Sequence, residues 1–151
     1  MIRLRDDAAT RAAGAALGRV ARGGDAIALI GDLGAGKTTL VAGLVAELGG
    51  GPASSPTFSL VNEYPGGRLV VWHVDLYRLE RSEELRELGL EDVIGDRRGI
   101  CVIEWADTFA VMPPDHLRIE LAHDGDARTI TAIGTGPRGA ELAAAAFSDL
   151  H

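Results

Sequence analysis

The sequence predicts an α/β fold with three layers and a mainly parallel central sheet, to which antiparallel strands are added. Three observations predict it. Apolar runs of strand length alternate along the chain with segments whose apolar residues recur at helical spacing. One such run, Ala26–Ile30, passes straight through a glycine-rich loop into a helical segment. Two further pairs of strand-like segments meet across the turns Pro65-Gly66-Gly67 and Asp124-Gly125, which calls for antiparallel neighbours. At 151 residues the chain has room for one domain, residues 1–151, and not for two.

The elements follow in order. Residues 8–21 read as a helix, with Ala9, Ala13, Ala16, Leu17 and Val20 on one face and Gly23-Gly24 ending it. Ala26–Ile30 has the length and composition of a buried strand. Thr38–Leu48 returns to helical spacing through Leu40, Val41, Leu44, Val45 and Leu48, and Gly49-Gly50-Gly51 closes it; residues 49–56 are a loop. Phe58, Leu60 and Tyr64 alternate with Ser59 and Glu63, so a half-exposed strand is expected there, forming a hairpin with Leu69–Val74. Ser82–Ile94 reads as a helix capped by Ser82, with Glu83 and Glu84 at its positive end and Gly89 as a point where it splits. Ile100–Glu104 is a buried-type strand. Leu117, Ile119 and Leu121 alternate with Arg118 and Glu120, and a last strand runs over 128–133. A short alanine-rich helix is expected near Glu141–Phe147.

The segment with the most chemical content is Gly31-Asp32-Leu33-Gly34-Ala35-Gly36-Lys37-Thr38, with spacing G-x-x-x-x-G-K-[ST]. This is the phosphate-binding loop of nucleotide triphosphatases, and strand–glycine loop–helix is the context it requires. The fold class is therefore P-loop NTPase-like. Glycines let the backbone bend around an anion, successive N–H groups point inward, and the helix that follows presents its positive end. Lys37 is the only lysine; every other basic side chain is arginine. A compact, flexible ammonium reaches between phosphates where a planar guanidinium fits badly. Lys37 is expected to bridge the β- and γ-phosphates of a nucleotide and Thr38 to offer its hydroxyl to Mg²⁺.

Such a site also needs an acid at a neighbouring strand end. Asp75 follows Leu69–Val74 and Glu104 follows Ile100–Ile103, so both fall at the carboxyl edge of the sheet, where ligands bind. One would hold Mg²⁺ through water, and the other would orient or deprotonate an attacking water. Trp105, next to Glu104, either stacks on a ligand or packs in the core. Thr57 lies in the loop after the phosphate-loop helix, either as a nucleotide-sensing residue or as a plain polar loop residue. His73, inside a strand, reads as a core or hydrogen-bonded histidine. Arg97-Arg98, the only adjacent basic pair, reads as a solvated face or as a partner or RNA contact.

Composition excludes several classes. The net charge of −7 argues against a surface that grips nucleic-acid backbone unaided. One cysteine, Cys101, permits no internal disulfide and suits a reducing compartment; set in the run Ile100–Ile103, it is expected to be a buried, inert thiol. Four histidines and that cysteine show no zinc spacing. The alanine-rich stretch from Ala12 to Leu17 is hemmed by Asp6, Asp7, Arg11 and Arg19 and makes a poor signal-peptide core, and no apolar run would span a membrane. A cytoplasmic location is expected.

Four segments in order, Gly31–Thr39, Ser55-Pro56-Thr57-Phe58, His73-Val74-Asp75-Leu76-Tyr77-Arg78-Leu79 and Ile103-Glu104-Trp105, resemble the TsaE family of small bacterial ATPases needed for the threonylcarbamoyladenosine modification of tRNA. The resemblance runs from about Asp7 to Ala145. It implies a central sheet with a phosphate loop, ATP and Mg²⁺ as ligands, slow hydrolysis, and assembly with the TsaB and TsaD proteins that perform the transfer onto the adenosine next to the anticodon, with tRNA engaged only indirectly. By matching position, Leu33, Gly34, Ala35, Gly36, Lys37, Thr38 and Thr39 bind phosphates, and Thr38 and Glu104 are associated with the metal. Asp75 matches the family's other acid, so that Lys37, Asp75 and Glu104 form the catalytic set. Thr57 matches a switch-like segment, Trp105 a tryptophan near the nucleotide, and Thr10 an early threonine near the base. Arg128 is a looser match from the C-terminal part.

Other classes fit the residues less well. A GTP-dependent switch reads guanine through an N/T-K-x-D element, which a chain whose only lysine is Lys37 cannot contain. A small-molecule kinase of this fold carries an arginine-bearing lid, and no lid insert is visible in so short a chain. A non-hydrolysing ATP-binding module has no need for both Asp75 and Glu104. ATP consumed without an acceptor, only with an acceptor, or not at all even with partners separates these three.

Overall fold

The computed structural model describes residues 1–32, 34–51, 61–65, 67–76, 89–106 and 111–147. Among the described residues seven strands make one sheet: β1 (Ile2–Leu4), β2 (Ala26–Ile30), β3 (Val61–Tyr64), β4 (Val70–Asp75), β5 (Gly99–Glu104), β6 (His116–Asp124) and β7 (Ala127–Thr135). Their order is β1-β7-β6-β2-β5-β4-β3. The four central strands, β6-β2-β5-β4, are parallel; β3, β7 and β1 are antiparallel to their neighbours. The mainly parallel centre with antiparallel additions is thus the observed architecture. The described helices are α1 (Asp7–Val20), α2 (Lys37–Leu48), α3 (Leu90–Val93) and α4 (Gly136–Phe147); none is long and apolar enough to cross a membrane.

Alternation along the strands builds two cores. Ile27, Leu29, Val71, Ile100, Val102, Leu117 and Ile119 face α1, α2 and α4. Ala28, Trp72, Val74, Cys101 and Ile103 face the other way, against Leu90, Leu76 and Ala106. Parallel strands covered on both faces read as unbroken apolar runs, which is why Ala26–Ile30 and Ile100–Ile103 lack polar interruptions. Burial of a side chain such as Ile100 or Leu117, both fully inaccessible, contributes about 2 kcal/mol each.

The alanine and glycine content of α1 has a packing cause. A Cβ added at Gly14 would overlap the Leu40 carbonyl of α2, and one added at Gly43 of α2 would overlap the Arg11 carbonyl of α1. The two helices therefore cross backbone to backbone, which fixes the start of α2 against α1. Asp6 caps α1 by accepting from the Ala9 N–H at 2.9 Å.

Two expectations need correction, and two others are only partly covered by the described residues. The last helix begins at Gly136, five residues before Glu141, because Pro137 suits a first helical turn and Asp115, from outside the helix, accepts from the N–H groups of Arg138 (3.1 Å) and Gly139 (2.7 Å). The final strand runs to Thr135 rather than 133, paired throughout with β6. Of the helix expected over 82–94, residues 82–88 lie outside the described residues; Gly89, at φ 68°, precedes the single turn Leu90–Val93. The hairpin expected over 58–74 is present as β3 against β4, with 58–60 outside the described residues.

Candidate functional site

β2 ends at Ile30 and α2 begins at Lys37, so the glycine loop joins the middle of the sheet to a helix N-terminus. Gly34 and Gly36 have φ of 81° and 103°, the left-handed region where a side chain would be strained. The Asp32 carbonyl accepts from the Ala35 N–H at 3.0 Å, and the Gly36 carbonyl accepts from Leu40 at 2.9 Å, the first helical bond. Gly36, as N-cap, supplies no side chain, and the first turn of α2 holds no acid. Among the described residues no side chain caps this end, so the positive end of a twelve-residue helix faces the loop.

Strand alternation decides what faces that helix end. Val71, His73 and Asp75 share one face of β4; Ile100, Val102 and Glu104 share the same face of β5. Asp75 and Glu104 are register partners at the strands' carboxyl ends. Glu104 is buried. Its Oε1 lies 3.3 Å from Lys37 Nζ, and its Oε2 lies 2.5 Å from His73 Nε2. Burial alone would raise the Glu104 carboxyl, but the hydrogen bond and charge of His73, together with Lys37, outweigh it and hold the group below the usual carboxylate range. Trp105 then departs from ordinary backbone geometry at φ 61°, a cost of about 1–3 kcal/mol that surrounding structure must sustain. Its ring centroid sits 4.7 Å from Lys37 Nζ, within cation–π range. Lys37, itself only 7% exposed, is thus enclosed by a carboxylate and an aromatic face.

Other expected residues surround this centre. Thr38, second in the helix, is exposed, and Thr39 is half-buried beside it. Ala35 is buried under the loop. Thr10 on α1 is fully buried: a Cβ at Gly36 would meet its Cγ2 at 3.4 Å, and its hydroxyl donates to the Asp6 carbonyl at 3.3 Å. It backs the loop. Arg128 on β7 donates through Nη2 to the Gly34 carbonyl at 3.2 Å and through Nη1 to the Ala127 carbonyl at 3.0 Å, while its buried Nε has no hydrogen-bond partner. Leu33 and Thr57 lie outside the described residues. Arg98 pairs with Asp96, with Nη2 2.7 Å from Oδ2, on the surface. The structure therefore gathers Thr10, Gly34, Ala35, Gly36, Lys37, Thr38, Asp75, Glu104, Trp105 and Arg128 around one loop.

A family model described as threonylcarbamoyl adenosine biosynthesis protein TsaE matches residues 4–130. The chain belongs to the TsaE family. It is 44% identical over 124 residues to the tRNA threonylcarbamoyladenosine biosynthesis protein TsaE of Nostoc sp., covering 80% of this chain and 76% of the relative. It is 36% identical over 138 residues to that of Streptomyces coelicolor, covering 85% and 92%. The crystal structure of Bacillus subtilis YdiB is 31% identical and superposes with a TM-score of 0.81, covering 98% of this chain and 97% of that one.

In this TsaE chain the residue that sequence reasoning left outside the site is His73. It is buried and bonded, as expected of a strand histidine, but its partner is Glu104. The available signal was parity: His73 is two residues before Asp75 on a strand and so shares its face. A cavity of about 320 Å³ opens beside it, bounded by Thr38, Val41, Val45 and Tyr64 as well as His73.

Proposed function

We propose that this TsaE chain binds ATP with Mg²⁺ at the glycine loop, hydrolyses it slowly, and thereby supports threonylcarbamoyladenosine modification of tRNA by acting on a complex of TsaB and TsaD. The observation that carries the reading is the pairing of an uncapped helix end and its left-handed glycines with a buried lysine–glutamate pair on the neighbouring strand end.

The residues fit the ligands. Gly34 and Gly36 leave the loop without side chains where a phosphate would approach, and among the described residues no side chain caps the amides at the start of α2. Thr38, an exposed residue, stands at the same helix end. Thr38 and Glu104 would hold Mg²⁺. The ion supplies neutralisation of charge on the phosphates when bound.

The chain's own contribution follows from what Lys37 now touches. Its ammonium neutralises Glu104 and lies under Trp105. A triphosphate in the loop offers that ammonium several formal negative charges instead of one, and its four-carbon stem lets it swing. Glu104 is thereby released to work on metal and water, with Asp75 beside it in register. Between them, Glu104 and Asp75 would hold the metal through water and orient or deprotonate the attacking water. Arg128 bonds the Gly34 carbonyl and Thr10 packs beside Gly36, so both brace the loop. Acting on protein partners also suits a chain of net charge −7, which tRNA phosphates would repel.

ATP turnover by the purified chain, alone and with TsaB and TsaD, tests the reading. Slow consumption of ATP without any acceptor, stimulated by the partners and lost in Glu104→Gln, is expected. Turnover that requires a small-molecule acceptor, or none even with partners, would replace it with a kinase or a non-hydrolysing module.

A further inference from the structure

The Glu104 carboxylate is held by both of its oxygens, and the two holders differ in kind. Oε1 faces Lys37, at 3.3 Å, on a flexible side chain with another role to fill. Oε2 faces His73 Nε2, at 2.5 Å. An ionised carboxylate can only accept, so Nε2 carries the hydrogen and donates. The imidazole has two side-chain torsions and projects from a strand bonded on both sides, in register with Asn62 of β3 and Val102 of β5. Its ring is nearly closed to solvent, at 10% exposure.

Building on the ATP-binding reading above, we propose that His73 is a positioning residue that keeps Glu104 aimed at the metal and attacking water after Lys37 has been drawn to the phosphates. Without it, the departure of Lys37 would leave a glutamate with three free torsions at the moment its geometry matters. Groups that orient an acid or ligand in this way typically affect metal affinity or rate by about 10–100-fold when removed. In the unliganded protein the two contacts are redundant; in the nucleotide-bound protein only the one from His73 persists. His73 therefore acts through Glu104, and the effect of its loss falls on rate and metal dependence, with metal-free nucleotide binding spared.

The test uses the full chain with its partner proteins and two substitutions, His73→Leu, which removes the donor, and His73→Gln, whose amide supplies one. Turnover is measured with Mg²⁺ and ATP, and binding of a fluorescent ATP analogue is measured with and without Mg²⁺. For His73→Leu, kcat is expected to fall about 10–100-fold with KM within about threefold of wild type, and the gain in affinity on adding Mg²⁺ to be reduced about tenfold. Binding without metal stays as in wild type. His73→Gln is expected to recover most of both losses. If His73→Leu does not fold, a His73→Asn variant, with a donor too short to reach, takes its place against His73→Gln. Unchanged kcat and unchanged metal dependence in the donor-free variant overturn the proposal while leaving the ATPase reading intact. So does equal impairment of the Gln and Leu variants, with kcat, KM and metal-free binding falling together, because that is the pattern of a packing role. Wild-type protein that binds no ATP overturns the ATPase reading and this proposal with it.

Discussion

Replacing Lys37 with methionine perturbs the site most informatively, because the consequence for stability is much larger than for an ordinary surface lysine. At 3.3 Å the ammonium and the Glu104 carboxylate attract by about 5 kcal/mol at an effective dielectric near 20. Desolvation of the two ions, which are only 7% and 9% exposed, cancels much of that, so the intact pair adds little net stability. Lys37→Met removes the attraction but leaves the carboxylate desolvated. Breaking a buried pair this way costs about 3–5 kcal/mol; the remaining His73 hydrogen bond softens it to about 2–3 kcal/mol. For a chain of this size each kcal/mol moves Tm by about 2–4 °C, so a drop of roughly 5–10 °C is expected at pH 7 without nucleotide. The pH dependence has a defined sign. The folded Glu104 carboxyl is held below its ordinary value of 4.5, so its contribution is present above that value and fades as pH falls through the lowered one. Lys37 is one of the groups that depress it, so the gap between wild type and Lys37→Met narrows under acid. Thermal melts from pH 7 to pH 3.5, with the double variant Lys37→Met/Glu104→Gln closing the cycle, check the reasoning. A Lys37→Met protein melting within a degree of wild type at pH 7, or a gap that widens with acid, would refute it.

Other perturbations separate local roles. Gly14→Ala should destabilise by about 2 kcal/mol in denaturant melts, although alanine in an exposed helix would gain about 1 kcal/mol over glycine, because the new methyl meets the Leu40 carbonyl; a stabilised variant would mean that α1 and α2 are not in backbone contact. Thr38→Ala should mainly weaken the Mg²⁺-dependent part of ATP binding, since this exposed residue makes no structural claim on the fold, and equal losses with and without metal would remove it from the metal site. Cys101, whose thiol is pushed up to about 12 first by burial and then by the Asp96 charge, should resist a soluble thiol reagent at pH 8 until the protein is unfolded; rapid labelling of native protein would show that β5 is exposed.

Much of this architecture was legible because it is written in short-range periodicity. Ala26–Ile30 was read with its observed boundaries, and α1 and α2 to within one residue, because apolar period and glycine stops act on neighbours in the chain. The loop was legible because its chemistry demands glycines at fixed spacing from one lysine. What escaped depends on distant partners. β1 is three residues long, too short for alternation, and exists because β7 supplies its hydrogen bonds. The true start of α4 depends on Asp115, more than twenty residues before Arg138, and the helix is tied down by Arg138 reaching Asp25 through two 2.8 Å hydrogen bonds. No local pattern announces either.

The same distinction explains why Glu104 was visible and His73 was not. An acid at the end of an apolar strand breaks the run, and so marks itself. A histidine two residues inside β4 interrupts nothing, because one buried imidazole is tolerated wherever it finds a partner. Its partner is fixed by sheet order: β4 must lie beside β5, in parallel, with Asp75 opposite Glu104, before His73 can reach across to Oε2. A one-residue slip in that register would turn His73 toward Trp72's side of the sheet and leave Glu104 with Lys37 alone. Strand pairing, rather than the loop motif, therefore sets the geometry of the acid, while the motif sets the geometry of the lysine. The site is the meeting of a local signal with a non-local one, and only the first can be read from a single chain.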